Sequence, residues 1–372
     1  MIKQVCTRCV MDNTSDKTIN FQNDGTCNYC NYSLMRKDDF YFPNEKGNNK
    51  LNEMIRLLKK DGVGKEYDCM MGISGGLDSS YLAYLGAKEW GLRILAVHID
   101  DGFDTLIAKK NITNICNKYN IKLIDESPNS EEYFDLIKSF IKSGVPGIAI
   151  PQDNVLQAYL NFYAKKYNIK YFLSGANFSL ESILERGDEP PAADGRHLKA
   201  IQKQFGEVKL KSLQTISLFE RYISQKFISK IVTIKPLDFI EYNRENAINE
   251  LKENADFNYY GGKHYESVYT KFVQAYYLPK KFNKDKRKSH YSSLIITNQM
   301  TREEALIKLK EPLYDEATME SEINFILNKI KMDKKEFMEI MKKPGHFHTE
   351  YKTSKLNNFK KQATKFRKIL GE

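Results

Sequence analysis

The stretch from residue 69 to residue 80 constrains this chain more than any other. An apolar run over 69–73 reads as a buried parallel strand. The hexapeptide Ser74-Gly75-Gly76-Leu77-Asp78-Ser79 follows at once, and residues 81–90 carry the apolar spacing of a helix. A strand that breaks into a glycine turn and enters a helix makes an anion site. Consecutive backbone N–H groups turn toward one point, and the helix N-terminus adds partial positive charge. Ser74, Ser79 and Ser80 supply further donors, and Asp78 is a candidate ligand for magnesium. No lysine follows the second glycine, so this is not the Gly-x-x-x-x-Gly-Lys-Ser/Thr loop.

The rest of the chain places that loop in a sheet. Apolar runs over 93–99, 121–124, 169–173 and 231–234 read as further strands, separated by helical spacing over 105–119, 131–142 and 154–167. This alternation predicts a parallel sheet with right-handed crossovers, binding its ligand at the carboxyl ends of the strands. Polar turns sit there: Asp100-Asp101-Gly102 after the second strand and Ser174-Gly175-Ala176-Asn177 after the fourth. The expected fold class is α/β, a doubly wound parallel sheet of five strands over residues 50–240. Residues 31–50, polar with Pro43 and Gly47, read as a linker, and 51–60 as a short helix. Residues 241–372 form a helical substrate- or partner-binding region, with helical spacing over 303–310 and 322–341 and a basic tail over 352–370.

Four of the six cysteines lie in the first thirty residues, as Cys6-x2-Cys9 and Cys27-x2-Cys30. Two such knuckles make a four-thiolate tetrahedron, so residues 1–45 are expected to be a module stapled by structural zinc through Cys6, Cys9, Cys27 and Cys30. Cys69 and Cys116, in an expected strand and helix, read as core residues. Net charge +10 favours anionic partners, although the lysines are scattered. No apolar run approaches a membrane span, and the first residues lack the apolar core of a signal peptide, so a cytoplasmic location and no membrane partner are expected.

The loop resembles the pyrophosphate loop of the PP-loop ATP pyrophosphatases, a HUP-like fold of adenine nucleotide hydrolases that cleave ATP between its α and β phosphates. The turn at 174–177 and Lys235-Pro236-Leu237 extend the likeness. Paired Cys-x-x-Cys, Ser74–Ser80, Ser174–Ser182, Tyr260–Ser267 (Tyr-Gly-Gly-Lys-His-Tyr-Glu-Ser) and Lys281–Arg287 through Ser292-Ser293-Leu294-Ile295 are similar to the N-acetyl sugar amidotransferases. Residues 186–197 depart from the pattern.

That resemblance implies conversion of an acetamido group to an acetamidino group. The acceptor would be an N-acetylated sugar, nucleotide-linked or free, of a bacterial surface polysaccharide (lipopolysaccharide or O-antigen) or a nonulosonic acid of the pseudaminic or legionaminic type. The acetamide oxygen is adenylated, and ammonia from a separate glutaminase, with a channelling subunit, displaces AMP. The cofactors implied are ATP, magnesium and structural zinc. Ser74, Gly75, Gly76, Asp78, Ser79 and Ser80 are expected to bind the nucleotide's phosphates. His98, Ile99 and Asp100 would flank the adenosine, Gly175 and Asn177 are expected to bind the nucleotide too, and Glu181 is either a second acid near the metal or substrate or a carboxylate meeting a helix dipole. Asp78, Lys263, His264, Glu266, Lys286 and Arg287 are the candidate catalytic residues. The rival is a tRNA thiolase or lysidine-type ligase. A thiolase needs a cysteine pair beside the nucleotide, and no added RNA-binding module is visible.

Overall fold

The computed structural model describes residues 3–185 and 189–355. Strands β1 (Cys69–Gly72), β2 (Ile94–Ile99), β3 (Lys122–Glu126), β4 (Tyr171–Leu173) and β5 (Val232–Ile234) form one wholly parallel sheet in the order β3-β2-β1-β4-β5. β1 is central. The chain winds outward from it to β3, then crosses back to β4 on its other side, so the switch point lies at the carboxyl ends of β1 and β4.

Successive side chains of a strand point to opposite faces, and both faces here are covered. Met70, Leu95 and Val97 enter one apolar core, whereas Cys69, Met71, Ile94 and Ala96 enter the other. The helices before and within this domain are α1 (Asn28–Phe40), α2 (Glu45–Asp61), α3 (Leu77–Tyr84), α4 (Leu106–Lys118), α5 (Ser130–Ser143), α6 (Ile150–Lys166), α7 (Phe178–Glu181), α8 (Gly195–Phe205) and α9 (Arg244–Ala255). Helices α3, α4 and α9 cover one face of the sheet, and α5, α6 and α8 the other.

The C-terminal region is helical: α10 (Val268–Phe272), α11 (Leu278–Phe282), α12 (Arg287–Ile296), α13 (Arg302–Lys308), α14 (Glu316–Lys329) and α15 (Lys334–Lys342). It is not a separate layer. Phe272, Tyr277, Met319, Ile323 and Phe337 join the core that contains Leu136 and Phe140 of α5. No helix among the described residues is long and apolar enough to cross a membrane.

Two sequence expectations need correction. Residues 31–50 are not a linker. Most of them belong to α1 and the start of α2, because Cys27 caps α1 through its sulfur and Asn44 caps α2 by accepting from the Gly47 amide. Gly47 is glycine for close packing, since a Cβ there would lie 1.8 Å from the Phe42 carbonyl oxygen and 2.7 Å from that of Phe239. The helix expected over 322–341 is two helices, broken where Lys331 turns left-handed at φ 51° and Asp333 caps α15. The basic tail beyond residue 355 and residues 186–188 of the departing stretch lie outside the described residues.

Candidate active site

The loop after β1 is shaped by what surrounds it. Gly75 sits at φ 71°, and a Cβ on it would lie 2.2 Å from the Ala108 carbonyl oxygen, so only glycine lets α4 press against the turn. A Cβ on Gly76 would lie 2.6 Å from Glu266 Oε1, which shows how closely that carboxylate overhangs the loop. Three loop amides are each answered by a hydroxyl. Ser74 N–H donates to Ser79 Oγ (3.2 Å), Gly76 N–H to Ser74 Oγ (3.2 Å) and Leu77 N–H to the Tyr260 hydroxyl (2.8 Å). Phosphate oxygens can replace such hydroxyls, because the amides and the α3 N-terminus favour negative charge.

Asp78, in the first turn of α3, is held from two sides. The Tyr242 hydroxyl donates to its Oδ1 at 2.6 Å and Asn177 Nδ2 at 3.1 Å, while Lys263 Nζ stands 4.0 Å from Oδ2. Burial pushes the Asp78 carboxyl up and Lys263 pulls it back. Lys263 pairs more closely with Glu181 at 2.9 Å. Burial also opposes ionisation of Glu181, but Lys263 and His264 outweigh it and hold that carboxyl below its usual range.

These partners arrive on the segment 259–267, which folds over the loop. It turns at Gly261 (φ 95°) and at His264, a non-glycine residue at φ 64°. Backbone strain of that kind persists where the surroundings fix it, and it clusters at functional sites. His264 Nδ1 lies 3.7 Å from Glu266 Oε1, and Ser74 Oγ donates to the same oxygen at 3.4 Å. Glu266 Oε2 is buried with no hydrogen-bond partner among the described residues.

Two cavities meet at this segment. One, of about 500 Å³, lies beyond the loop and is lined by Asp78, Lys263, Lys286, Arg244, Tyr259 and Tyr291 among others. The second, of about 570 Å³, lies over the carboxyl ends of β1, β2 and β4, with His98, Ile99, Asp101 and Ser174 in its wall. Ser74, Gly175, His264, Glu266 and Gln274 line both and form the partition.

The structure therefore brings Ser74, Gly76, Asp78, Ser79, Gly175, Glu181, Lys263, His264, Glu266 and Lys286 around one space, with Asn177 buried just behind Asp78. Other residues singled out from the sequence are placed differently. Ser80, on α3, is fully buried and lines neither cavity, and nor does Gly75. His98 is fixed between Asp125 (2.8 Å) and Asp104 (3.1 Å); burial opposes its protonation, but the two carboxylates raise it to about 8. Asp100 pairs with Lys109 at 2.5 Å and stays outside the cavity wall. Arg287 reaches the first cavity, yet its guanidinium is committed to Asp285 (2.9 Å) and to the carbonyls of Lys308, Leu309 and Glu311.

The sequence assigns no role to Tyr242, Tyr260 or His290. Tyr260 opens the motif that runs to Ser267, but no local signal marks Tyr242. His290, however, stands four residues after Lys286, one helical turn along the same face.

Two predictions arise here. Tyr260→Phe frees the Leu77 amide, so magnesium pyrophosphate should bind about two- to tenfold more tightly, the worth of one hydrogen bond. Calorimetric titration checks this, and unchanged affinity would contradict a hydroxyl that competes with phosphate. Lys286 pairs at 3.0 Å with Glu185, whose side chain is 3% exposed. Lys286→Met leaves that carboxylate buried and unpaired, which should cost about 3 kcal/mol. Adding Glu185→Gln should return part of the loss in denaturant unfolding.

The amino-terminal module reaches the site from behind. The ligand atoms of Cys6, Cys9, Cys27 and Cys30 all lie within 4.8 Å of one another, with Cys6–Cys30 at 3.7 Å and Cys9–Cys27 at 3.6 Å. A tetrahedral ion with metal–sulfur bonds of about 2.3 Å spaces its sulfurs by about 3.8 Å, so the geometry fits one zinc ion. A cubane iron–sulfur cluster needs its thiolates much farther apart. The module docks on α12 and the start of α13: Val10 N–H donates to Ser292 Oγ (3.2 Å), Lys288 pairs with Asp12 (2.6 Å), and Arg302 of α13 donates to the Cys6 carbonyl (2.9 Å).

A parallel sheet of this order, with Ser-Gly-Gly-x-Asp-Ser at the end of its central strand, defines a class: the fold is that of the PP-loop ATP pyrophosphatases. More particularly, residues 266–366 match the family model described as LPS biosynthesis protein WbpG-like, C-terminal domain. No curated protein matches the chain. Among solved structures, the U34-tRNA thiolase NcsA from Methanococcus maripaludis with its 4Fe–4S cluster is 16% identical. That alignment covers 80% of this chain and 88% of that one, with a TM-score of 0.34. NMN synthetase from Francisella tularensis is 16% identical over 57% of this chain and 97% of its own, at TM-score 0.28. The NH3-dependent NAD synthetase from Campylobacter jejuni is 15% identical over 56% and 84%, at 0.29.

Proposed function

We propose that this protein is an ATP-dependent, AMP-forming amidotransferase that converts an acetamido group of an N-acetylated sugar to an acetamidino group. The observation that carries the reading is the pyrophosphate loop set at the junction of two cavities, one for each substrate. The match of residues 266–366 to a WbpG-like domain supports a sugar of surface polysaccharide as the acceptor.

ATP fits with its adenosine beside Ile99 and His98 and its phosphates on the loop amides. The acceptor fits in the cavity beyond, where Tyr291 lines the wall and Lys308 offers positive charge for an acidic substituent. The acetamide oxygen attacks the α-phosphorus across the partition, and pyrophosphate leaves toward the loop amides and Lys263. Ammonia then adds to the activated carbon, and the C–O bond breaks with its electron pair passing to AMP. Positioning and charge stabilisation do most of this work. The hard oxygens of Asp78 and Glu181 suit magnesium, which neutralises phosphate charge when bound. Zinc at the four cysteines is structural, because four protein thiolates leave no open position. A partner glutaminase supplies the ammonia.

A thiolase is disfavoured by the placement of the remaining cysteines. Cys69, on β1, and Cys116, on α4, are buried in the core, and neither lines either of the two cavities at the site. The test uses purified chain with magnesium ATP, ammonium chloride and a panel of N-acetylated nucleotide sugars and nonulosonic acids. Sugar-dependent pyrophosphate, with oxygen replaced by NH in the product mass, is the expected result. Pyrophosphate that appears only when tRNA is added would overturn it.

A further inference from the structure

We propose that His290 is the base that takes the proton from the ammonia nitrogen as that nitrogen bonds to the adenylated carbon, an assignment that rests on the function proposed above. The histidines of this chain differ in how their rings are used. His98 is fixed by two carboxylates, His197 and His348 bond each other at 2.9 Å, His264 lies against Glu266, and His346 pairs with Glu350. His290 alone of the six has neither ring nitrogen engaged by another group among the described residues. Its imidazole lines the acceptor cavity, edge-on to His264 with ring centroids 6.1 Å apart.

The surroundings suit a neutral base. Burial, and then the charges of Lys263, His264 and Lys286, hold His290 well below its ordinary value. The nearby carboxylates are occupied elsewhere: Glu181 by Lys263, Glu266 by His264 and Glu185 by Lys286. The nucleophile is ammonia, because ammonium has no lone pair with which to form the C–N bond. Once its lone pair forms the C–N bond, the nitrogen carries a positive charge and must lose a proton. His290 accepts that proton, the C–O bond breaks with its electrons going to AMP, and the imidazolium returns the proton to the strongly basic amidine or to water. α12 is anchored from behind through Ser292 and Lys288, which fixes the ring's position.

The test compares full-length wild-type, His290→Asn and His290→Ala chains with the acetamido sugar that supports pyrophosphate release in the panel. Adenylation is read without ammonium, as sugar-dependent exchange of labelled pyrophosphate into ATP, and amidine formation with ammonium by product mass. Both variants should keep exchange close to wild type while amidine formation falls about 10²- to 10⁴-fold, the usual worth of general base catalysis. Imidazole added to His290→Ala should restore part of the rate, and the acid limb of the wild-type profile should disappear. Variants that match wild type in both steps, or lose both steps together without imidazole rescue, overturn the assignment and leave the proposed function standing. A wild-type chain silent with every sugar overturns both.

Discussion

Asp78→Asn is expected to lower the rate of pyrophosphate release about 10²- to 10³-fold, the usual cost of removing one preorganised electrostatic group. The substitution keeps the shape of the side chain and an oxygen able to accept from Tyr242 and Asn177, which hold the carboxylate at 2.6 and 3.1 Å. What it removes is the negative charge beside Lys263 and the hard oxygen available to magnesium. Folding should not suffer, because burial already disfavours the charged form of this carboxyl. Pyrophosphate release and a thermal melt on the same protein check both halves. Undiminished turnover would remove Asp78 from the reaction, and an unfolded variant would make its role structural.

Removing zinc from the four cysteines is expected to abolish turnover although none of them lines a cavity. The free energy of a structural zinc site is about 10–16 kcal/mol, as large as the whole stability of many domains. The module has little apolar substance of its own beyond Val10, Met11, Ile19, Phe21, Tyr29 and the cysteines. Without metal it loses the geometry that presents Val10 to Ser292, Asp12 to Lys288 and the Cys6 carbonyl to Arg302. Helix α12 then loses its backing, and with it the positions of Lys286 and His290. Chelation should release zinc, raise amide hydrogen exchange over residues 287–296 and stop pyrophosphate release, with recovery on adding zinc. Full activity in metal-free protein with intact thiols would contradict this coupling. Cys27→Ser should reproduce the chelated state, and its sulfur is also the cap of α1.

Particular residues explain what the sequence made legible. Met70, Leu95 and Phe172 sit in apolar runs whose period and length identify strands buried on both faces. The six residues from Ser74 to Ser79 carry their conformational requirement locally, in two glycines and an aspartate. The cysteine spacing announces its own geometry. The contacts that position Asp78 are of another kind, since Tyr242 is 164 residues away in the chain and Asn177 is 99 away. No periodicity reports a hydroxyl aimed across such a distance. Residues 31–50 misled because their helices depend on caps from Cys27 and Asn44, and because Gly47 is there for packing, not freedom. Arg287 misled in the opposite sense. Its type suits phosphate, but its fork of donors closes on Asp285 and three carbonyls.

The central claim is that the acetamide oxygen itself is adenylated. It is tested most directly by an acceptor sugar carrying heavy oxygen in its acetyl group, incubated with the enzyme, magnesium ATP and ammonium chloride. The account predicts that the heavy oxygen appears in AMP, while pyrophosphate carries none. Heavy oxygen released to water, with unlabelled AMP, would contradict it.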